Sequence, residues 1–293
     1  MLGWDFSKLS TDEFETRTFE IGDAYTNISL NAKTADIQLL PAQDGKTTVV
    51  CYQQTTLRHT AAVAEGTLEI TVNDTRKWTD YIGIHFTAPT ITLYIPQGAY
   101  GDLNIVSDTG AVQIPKDFSF HSIHITENTG AVTSYASATD CIDIQTTTGS
   151  IHLATLSADT VKLRVSTGKI TATDLSCTGD VSIHVSTGKT FLQNLSCRNL
   201  ISDGSTGDIL LQNAIAREQF SIERSTGDVE FDRCDAGTIT VKTDTGKVTG
   251  TLLTDKVFTV KTDTGTVRVP QSATGGKCAI STDTGNIIIT VDQ

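Results

Sequence analysis

Four Asp-Thr-Gly triplets, at 108–110, 244–246, 263–265 and 283–285, are the residues of this 293-residue chain whose types and spacing most readily suggest chemistry. An aspartic protease needs two such aspartates facing each other across a cleft and sharing one proton. At the same position before a Thr-Gly or Gly step, other parts of the chain carry Asn128, Thr147, Ser166, Ser186, Ser205 and Ser225. Asn, Ser and Asp are interchangeable where a side-chain oxygen bonds to a turn backbone, and stacked turns point in one direction. The triplets therefore read as turn chemistry rather than as a catalytic dyad. Asp244, Asp263 and Asp283 also offer oxygens of the kind a hard cation takes. Lys242, Lys247 and Lys261 lie close enough to balance those charges without metal, and the glycine-rich nonapeptide of calcium-binding β-rolls is absent.

Other reactive side chains do not converge. His152 and His184 fall at different outward offsets, and His121 and His124 point to opposite faces of an extended segment. Six cysteines (Cys51, Cys141, Cys177, Cys197, Cys234, Cys278) contain no C-x-x-C pair and read as buried thiols. Cys177 and Cys197 each follow a repeat glycine by nine residues, which places them on neighbouring strands as two thiols. Thr-x-Thr at 146/148, 243/245, 262/264 and 282/284 matches the threonine arrays of ice-binding solenoids in only four places. The other positions hold Ser107, Glu127, Val165, Val185, Gly204 and Arg224. No G-x-S-x-G, H-E-x-x-H or Walker loop occurs. The chain is read as a non-enzyme that needs no cofactor or metal.

The elements that position these residues come from a repeat. A periodic set of ten Thr-Gly pairs ends at Gly110, Gly130, Gly149, Gly168, Gly188, Gly207, Gly227, Gly246, Gly265 and Gly285, at spacings of 19 or 20 residues. A period this short signifies stacked units. Seven residues before the glycine stand Leu103, Ile123, Ile142, Val161, Val181, Leu200, Phe220, Ile239, Phe258 and Cys278. The position five before is equally apolar except at Ser202, and two after stand Val112, Val132, Ile151, Ile170, Thr190, Ile209, Val229, Val248, Val267 and Ile287. Alternation with period two on both sides of the glycine predicts two short strands per unit, each with one buried face. The inward phase changes across the Thr-Gly pair, so that pair is a corner or tight turn in which glycine supplies a conformation closed to other residues. Like residues at like offsets favour parallel stacking over an antiparallel barrel, and aromatic girdles of a membrane barrel are missing.

The predicted fold is all-β: a parallel β-solenoid, β-helix-like, of about ten 19–20-residue coils with an irregular N-terminal β cap. Residues 1–24 form a lead-in expected to be membrane-proximal, 25–102 the cap with a degenerate first repeat around Ala35, and 103–293 the repeats, continuous with the cap. Strand candidates in the cap are 47–53, 68–72 and 90–95. Trp78, Tyr81 and Phe86 form its least repeat-like aromatic cluster, serving either as cap packing or as a recognition site. The chain stops on 287–291, an apolar strand that the order of repeats makes the outermost rung, and homo-oligomerisation through that C-terminal edge follows. A net charge of −12 excludes a nucleic-acid partner, and no apolar run is long enough to insert in a membrane.

The Ser/Asp-Thr-Gly-Asp/Lys-Val units, including Ser205-Thr-Gly-Asp-Ile and Ser225-Thr-Gly-Asp-Val, together with Asp36-Ile37 in the irregular start, resemble the bacterial putative-adhesin family of β-strand-repeat proteins. This is a domain-of-unknown-function family related to adhesin head domains, and the likeness spans essentially the whole chain. It implies a non-catalytic, cell-surface β-solenoid on the outer face of the bacterial envelope, presenting a rigid face to a protein or glycan. Family members are often held by an N-terminal membrane helix, of which Met1, Leu2, Gly3 and Trp4 would be the trailing edge here. The alternatives are a carbohydrate-active β-helix enzyme and an envelope scaffold or stress-signalling accessory.

Overall fold

The computed structural model describes residues 14–75 and 88–292. These contain twenty-two strands and no helix, hence none long and apolar enough to cross a membrane. The described part of the 1–24 segment is a strand, Phe14–Ile21, and Met1, Leu2, Gly3 and Trp4 lie outside the described residues.

Successive coils pair in parallel with the repeat in register. Ile123 sits beside Ile142, Ile142 beside Val161 and Val161 beside Val181, while Gly130, Gly149, Gly168 and Gly188 form a second row. The chain is therefore a β-solenoid, and at Gly130, Gly149, Gly168 and Gly188 the pairing resumes across the Thr-Gly corner after one skipped residue. Ala35 takes the corner position predicted for a degenerate first repeat: Ile28 pairs with Leu103, Leu30 with Ile105 and Ile37 with Val112.

The interior is wider than two strands per unit allow. In the coil around Gly188, Val181, Ile183 and Val185 are buried on one wall, Thr190 and Leu192 on a second, and Leu195 and Cys197 on a third. The second corner lies six residues after the glycine, where Thr155, Asp174, Asn194, Asn213 and Arg233 adopt φ between 49° and 55°. Asp and Asn tolerate this left-handed conformation better than most residues, which is the sequence signal the two-strand reading overlooked. Three walls close around one axis, so inward aliphatic side chains of the interior coils are covered by their own coil and by the coils above and below. Full burial of a Leu, Ile or Val stabilises by about 1.5–3 kcal/mol, which offsets the entropy of ordering the rung.

At both ends the spatial order of the rungs departs from the order in sequence. The strand Asn27–Thr34 lies between Gly98–Thr109 and Thr67–Asp74. Asp36–Pro41 likewise pairs with Thr90–Ile95. Strands 67–74 and 90–95 thus make the outer rung, and antiparallel partners finish it: Leu57–Ala64 on the first, Thr47–Gln54 on the second, then Phe14–Ile21. The switch to antiparallel pairing ends the parallel stack and covers its core with Val49, Cys51 and Leu57.

The other end corrects the expectation of a bare C-terminal strand. Gly276–Thr284 inserts between Val229–Thr245 and Lys256–Thr264, and Ile287–Val291 pairs with both Val248–Leu252 and Val267–Arg268. The last coil in sequence is the penultimate rung, and 256–268 is outermost. Glycines permit the insertion: a Cβ on Gly276 would come 2.1 Å from the Gly237 carbonyl oxygen, and one on Gly275 1.9 Å from that of Asp255. Ile280, Ile287 and Ile289 gain full burial, whereas Phe258 and Val260 on the outer rung are covered on one side only.

Candidate recognition surface

The Thr-Gly column is a backbone contact. A Cβ on Gly188 would lie 1.6 Å from the carbonyl oxygen of Gly168, and the same approach repeats along the stack. Glycine is thus fixed by the neighbouring rung as well as by its own φ of 142°. The residue after the glycine explains the Asp of Ser-Thr-Gly-Asp. Asp208 Oδ1 accepts the amide of Asp228 at 3.1 Å, Asp228 Oδ1 accepts that of Lys247 at 2.8 Å, and Asp36 Oδ1 accepts that of Ala111 at 2.8 Å. Each carboxylate clasps the corner of the next coil. The Asp228 amide, with the Lys189 ammonium, holds the Asp208 carboxyl below its ordinary range. Asp108, Asp244, Asp263 and Asp283 stand on the outer side of these corners, exposed and in one column, so none faces another across a cleft.

The position three before the glycine, which reads as polar surface in sequence, faces inward. Thr243, Thr262 and Thr282 turn their hydroxyls to glycine carbonyls of adjacent corners at 3.3, 2.9 and 3.0 Å. The two threonines of each Thr-x-Thr therefore point to different sides and form no flat array. In the same column Arg224 is buried, donating to Ser202 Oγ at 2.8 Å and to the Glu223 carbonyl at 2.8 Å. Ser202, the single polar residue in an otherwise apolar column, is its partner. Glu127 is buried too, between Ser107 and Thr146, and burial pushes its carboxyl up to about 7 against the pull of the Ser107 hydroxyl and the Thr129 and Asn128 amides. Its Oε2 and the Thr146 hydroxyl find no hydrogen-bond partner.

The outer wall before the Thr-Gly corner is a charge ladder. Arg164 bridges Asp143 at 2.7 Å and Gln145 at 3.2 Å, His184 joins Asp203 at 2.5 Å and Ser186 at 3.1 Å, and Lys242 meets Glu223 at 3.2 Å. Each group is engaged by the rung beside it. Of the other histidines, His121 contacts Thr139 and His124 approaches the half-buried Cys141 thiol at 3.8 Å. All six cysteines are free thiols. Trp78, Tyr81 and Phe86 lie outside the described residues.

The wall after the corner is different near the capped end. Tyr94 pairs across to Leu40 and, with Pro115 and Tyr135, makes an apolar stripe over successive rungs. Beside it runs a polar row, Gln38, Gln113, Thr133 and His152, each in register with the next. Tyr94 is 37% and Tyr135 40% exposed, and Tyr135 meets the His152 ring edge-on at 6.0 Å. Between stripe and row a groove of about 230 Å³ opens against Leu39 and Ile114. Its lining contains no carboxylate, lysine, arginine or histidine, in a chain of net charge −12. The repeat columns concealed this patch, because Leu40, Tyr94 and Tyr135 come from units with different sequences and meet only through the rearranged N-terminal order.

The sequence signature of the Toastrack family, DUF4097, matches residues 25–232, and the chain belongs to this family. Among solved structures, a putative lipid binding protein from Parabacteroides distasonis is 16% identical over 82% of this chain and 97% of its own, with a TM-score of 0.56. A putative adhesin from Bacteroides fragilis is 15% identical over 97% and 99%, TM-score 0.39, and one from Parabacteroides distasonis 12% over 93% and 98%, TM-score 0.43. At 16% identity the likeness to the first of these is one of fold alone. No curated protein matches the sequence.

Proposed function

We propose that this Toastrack protein is a non-catalytic binding module of the bacterial cell surface, and that its recognition surface is the neutral patch of Tyr94, Leu40, Pro115 and Tyr135 beside Gln38, Gln113, Thr133 and His152. The observation that carries the reading is the contrast between walls. On the wall before the corner Arg164, His184 and Lys242 are engaged by side chains of a neighbouring rung, whereas this patch exposes the rings of Tyr94 and Tyr135 and sets two glutamine amides and a threonine hydroxyl around a groove. Tyrosine rings stack on apolar faces of a ligand while their hydroxyls stay wet, and amides both donate and accept. A neutral, polyhydroxylated ligand, a glycan, fits this chemistry better than an ionic one. Rungs about 4.8 Å apart give the patch a linear periodicity suited to an oligosaccharide lying along the solenoid axis. A glycosidase needs two carboxyl groups flanking the scissile bond, and the groove is lined by none.

Calorimetric titration of the purified protein with cellohexaose, chitohexaose and a mannan tests the ligand, with Tyr135→Ala as control. Saturable binding weakened at least about ten-fold in the variant supports the proposal, since one stacked aromatic contributes on the order of a factor of ten. Silence with all three, together with a protein ligand whose binding survives Tyr135→Ala, sinks it. Protease shaving of intact cells tests display: repeat peptides released before lysis support a surface module, and protection until lysis favours an internal scaffold.

A further inference from the structure

We infer that the outermost rung, 256–268, is a self-association edge through which two copies join end to end. Among the described residues the strand Lys256–Thr264 pairs only with Gly276–Thr284, so one side of its backbone ladder is open. An open stack must hide its last rung, because the inward column there faces solvent. The capped end does so with antiparallel strands, but here only the stretch after Arg268 folds back. It leaves a groove of about 440 Å³ between Phe258 and Val269, Pro270, Gln271, Ser272 and Ala273. Val257 and Val267 are 38% and 41% exposed on the same rung, and Phe258 and Val260 are covered from one side. Open strand donors and acceptors beside uncovered aliphatic side chains are what edge addition uses.

The occupant with matching chemistry is a second copy of this chain. Lys261 and Asp263 lie two residues apart on the outward side, 3.0 Å from each other, with side chains 77% and 59% exposed. In an antiparallel pairing centred on Thr262, Lys261 of each copy comes opposite Asp263 of the other, and Val260 opposite Thr264. The contact is isologous, as a two-fold dimer requires, and it closes rather than growing into a fibre. Directly opposed unlike charges stabilise cross-strand pairs, and like charges there destabilise them. The strand Ile287–Val291 lies one rung further in, paired along its length with Val248–Leu252 and, at Ile287 and Ile288, with Val267 and Arg268. Self-association at this end leaves the lateral patch free and sets two copies of it on the order of 80 Å apart, at the strand spacing over the intervening rungs.

The test is sedimentation equilibrium of the full chain and two exposed-site variants. Wild type is expected to dimerise with rising concentration. Lys261→Asp should raise the dissociation constant about ten-fold or more by replacing two attractive pairs with two repulsive ones. Lys261→Asp combined with Asp263→Lys restores complementarity and should restore the dimer. Unchanged circular dichroism in both variants separates this from misfolding. A wild type monomeric at its highest soluble concentration, a dimer indifferent to Lys261→Asp, or failure of the double swap to rescue would each overturn the antiparallel edge.

Discussion

Replacing Glu127 by Gln should stabilise the protein at neutral and alkaline pH and remove part of its pH dependence. Glu127 sits in the interior column with one oxygen, Oε1, accepting the Thr129 amide at 3.2 Å and the other unpartnered. Burial raises its carboxyl from 4.5 to about 7. Between those values the native chain keeps a proton that the unfolded chain has lost, so unfolding releases protons and stability falls as pH rises. The contribution is fully present below pH 4.5 and gone above about pH 7. At about 1.4 kcal/mol per pH unit the shift from 4.5 to about 7 corresponds to about 3.5 kcal/mol. Glutamine keeps the acceptor for Thr129 and offers an amide beside the unpartnered Thr146 oxygen, so no ionisation cost arises at any pH. Urea denaturation of both proteins at pH 5 and pH 8 measures the effect as a difference, in which the other titrating groups cancel. The variant's advantage over wild type should grow by about 2.5 kcal/mol between pH 5 and pH 8. A difference that is flat across this range would refute the assignment of a buried, uncompensated carboxyl.

Gly188→Ala places a methyl against the Gly168 carbonyl oxygen and forces alanine to φ 142°; a loss of about 3 kcal/mol or more in urea unfolding is expected. Asp228→Ala removes the clasp on the Lys247 amide and should cost about 1 kcal/mol, with Asp228→Asn recovering part of it because its carbonyl still accepts. Burial pushes the thiols of Cys51, Cys177, Cys197 and Cys278 up to about 12 and that of Cys234 up to about 11, so native-state iodoacetamide labelling followed by mass spectrometry should modify the half-buried Cys141 first and the other five only on unfolding. Breaking the buried ion pair of Lys256 with Asp235, 2.5 Å apart, by Asp235→Ala should cost about 3 kcal/mol or more; a midpoint within error of wild type would mean the lysine reaches water.

The ten Thr-Gly steps and their flanking apolar columns determined the solenoid, its parallel register and the corner at each glycine, because these arise from short-range spacing repeated many times. Ala35 was legible as a degenerate corner for the same reason. The third wall was written less plainly, in Asp174, Asn194 and Asn213, whose left-handed φ becomes meaningful only once a second corner is required. Glu127, Arg224 and the inner threonines looked like surface residues, since alternation alone cannot show where the phase resets around a corner. The order of the rungs was decided by tertiary structure. Every parallel rung offers the same ladder of donors and acceptors and the same apolar columns, so exchanging two rungs leaves the sequence pattern unchanged. What distinguishes them is contact between distant residues: Gly276 fitting over Gly237, Ile287 and Ile289 gaining burial that Phe258 gives up, and Tyr94 arriving beside Leu40. Those choices expose the rung 256–268 and assemble the neutral patch, two features to which no local periodicity points.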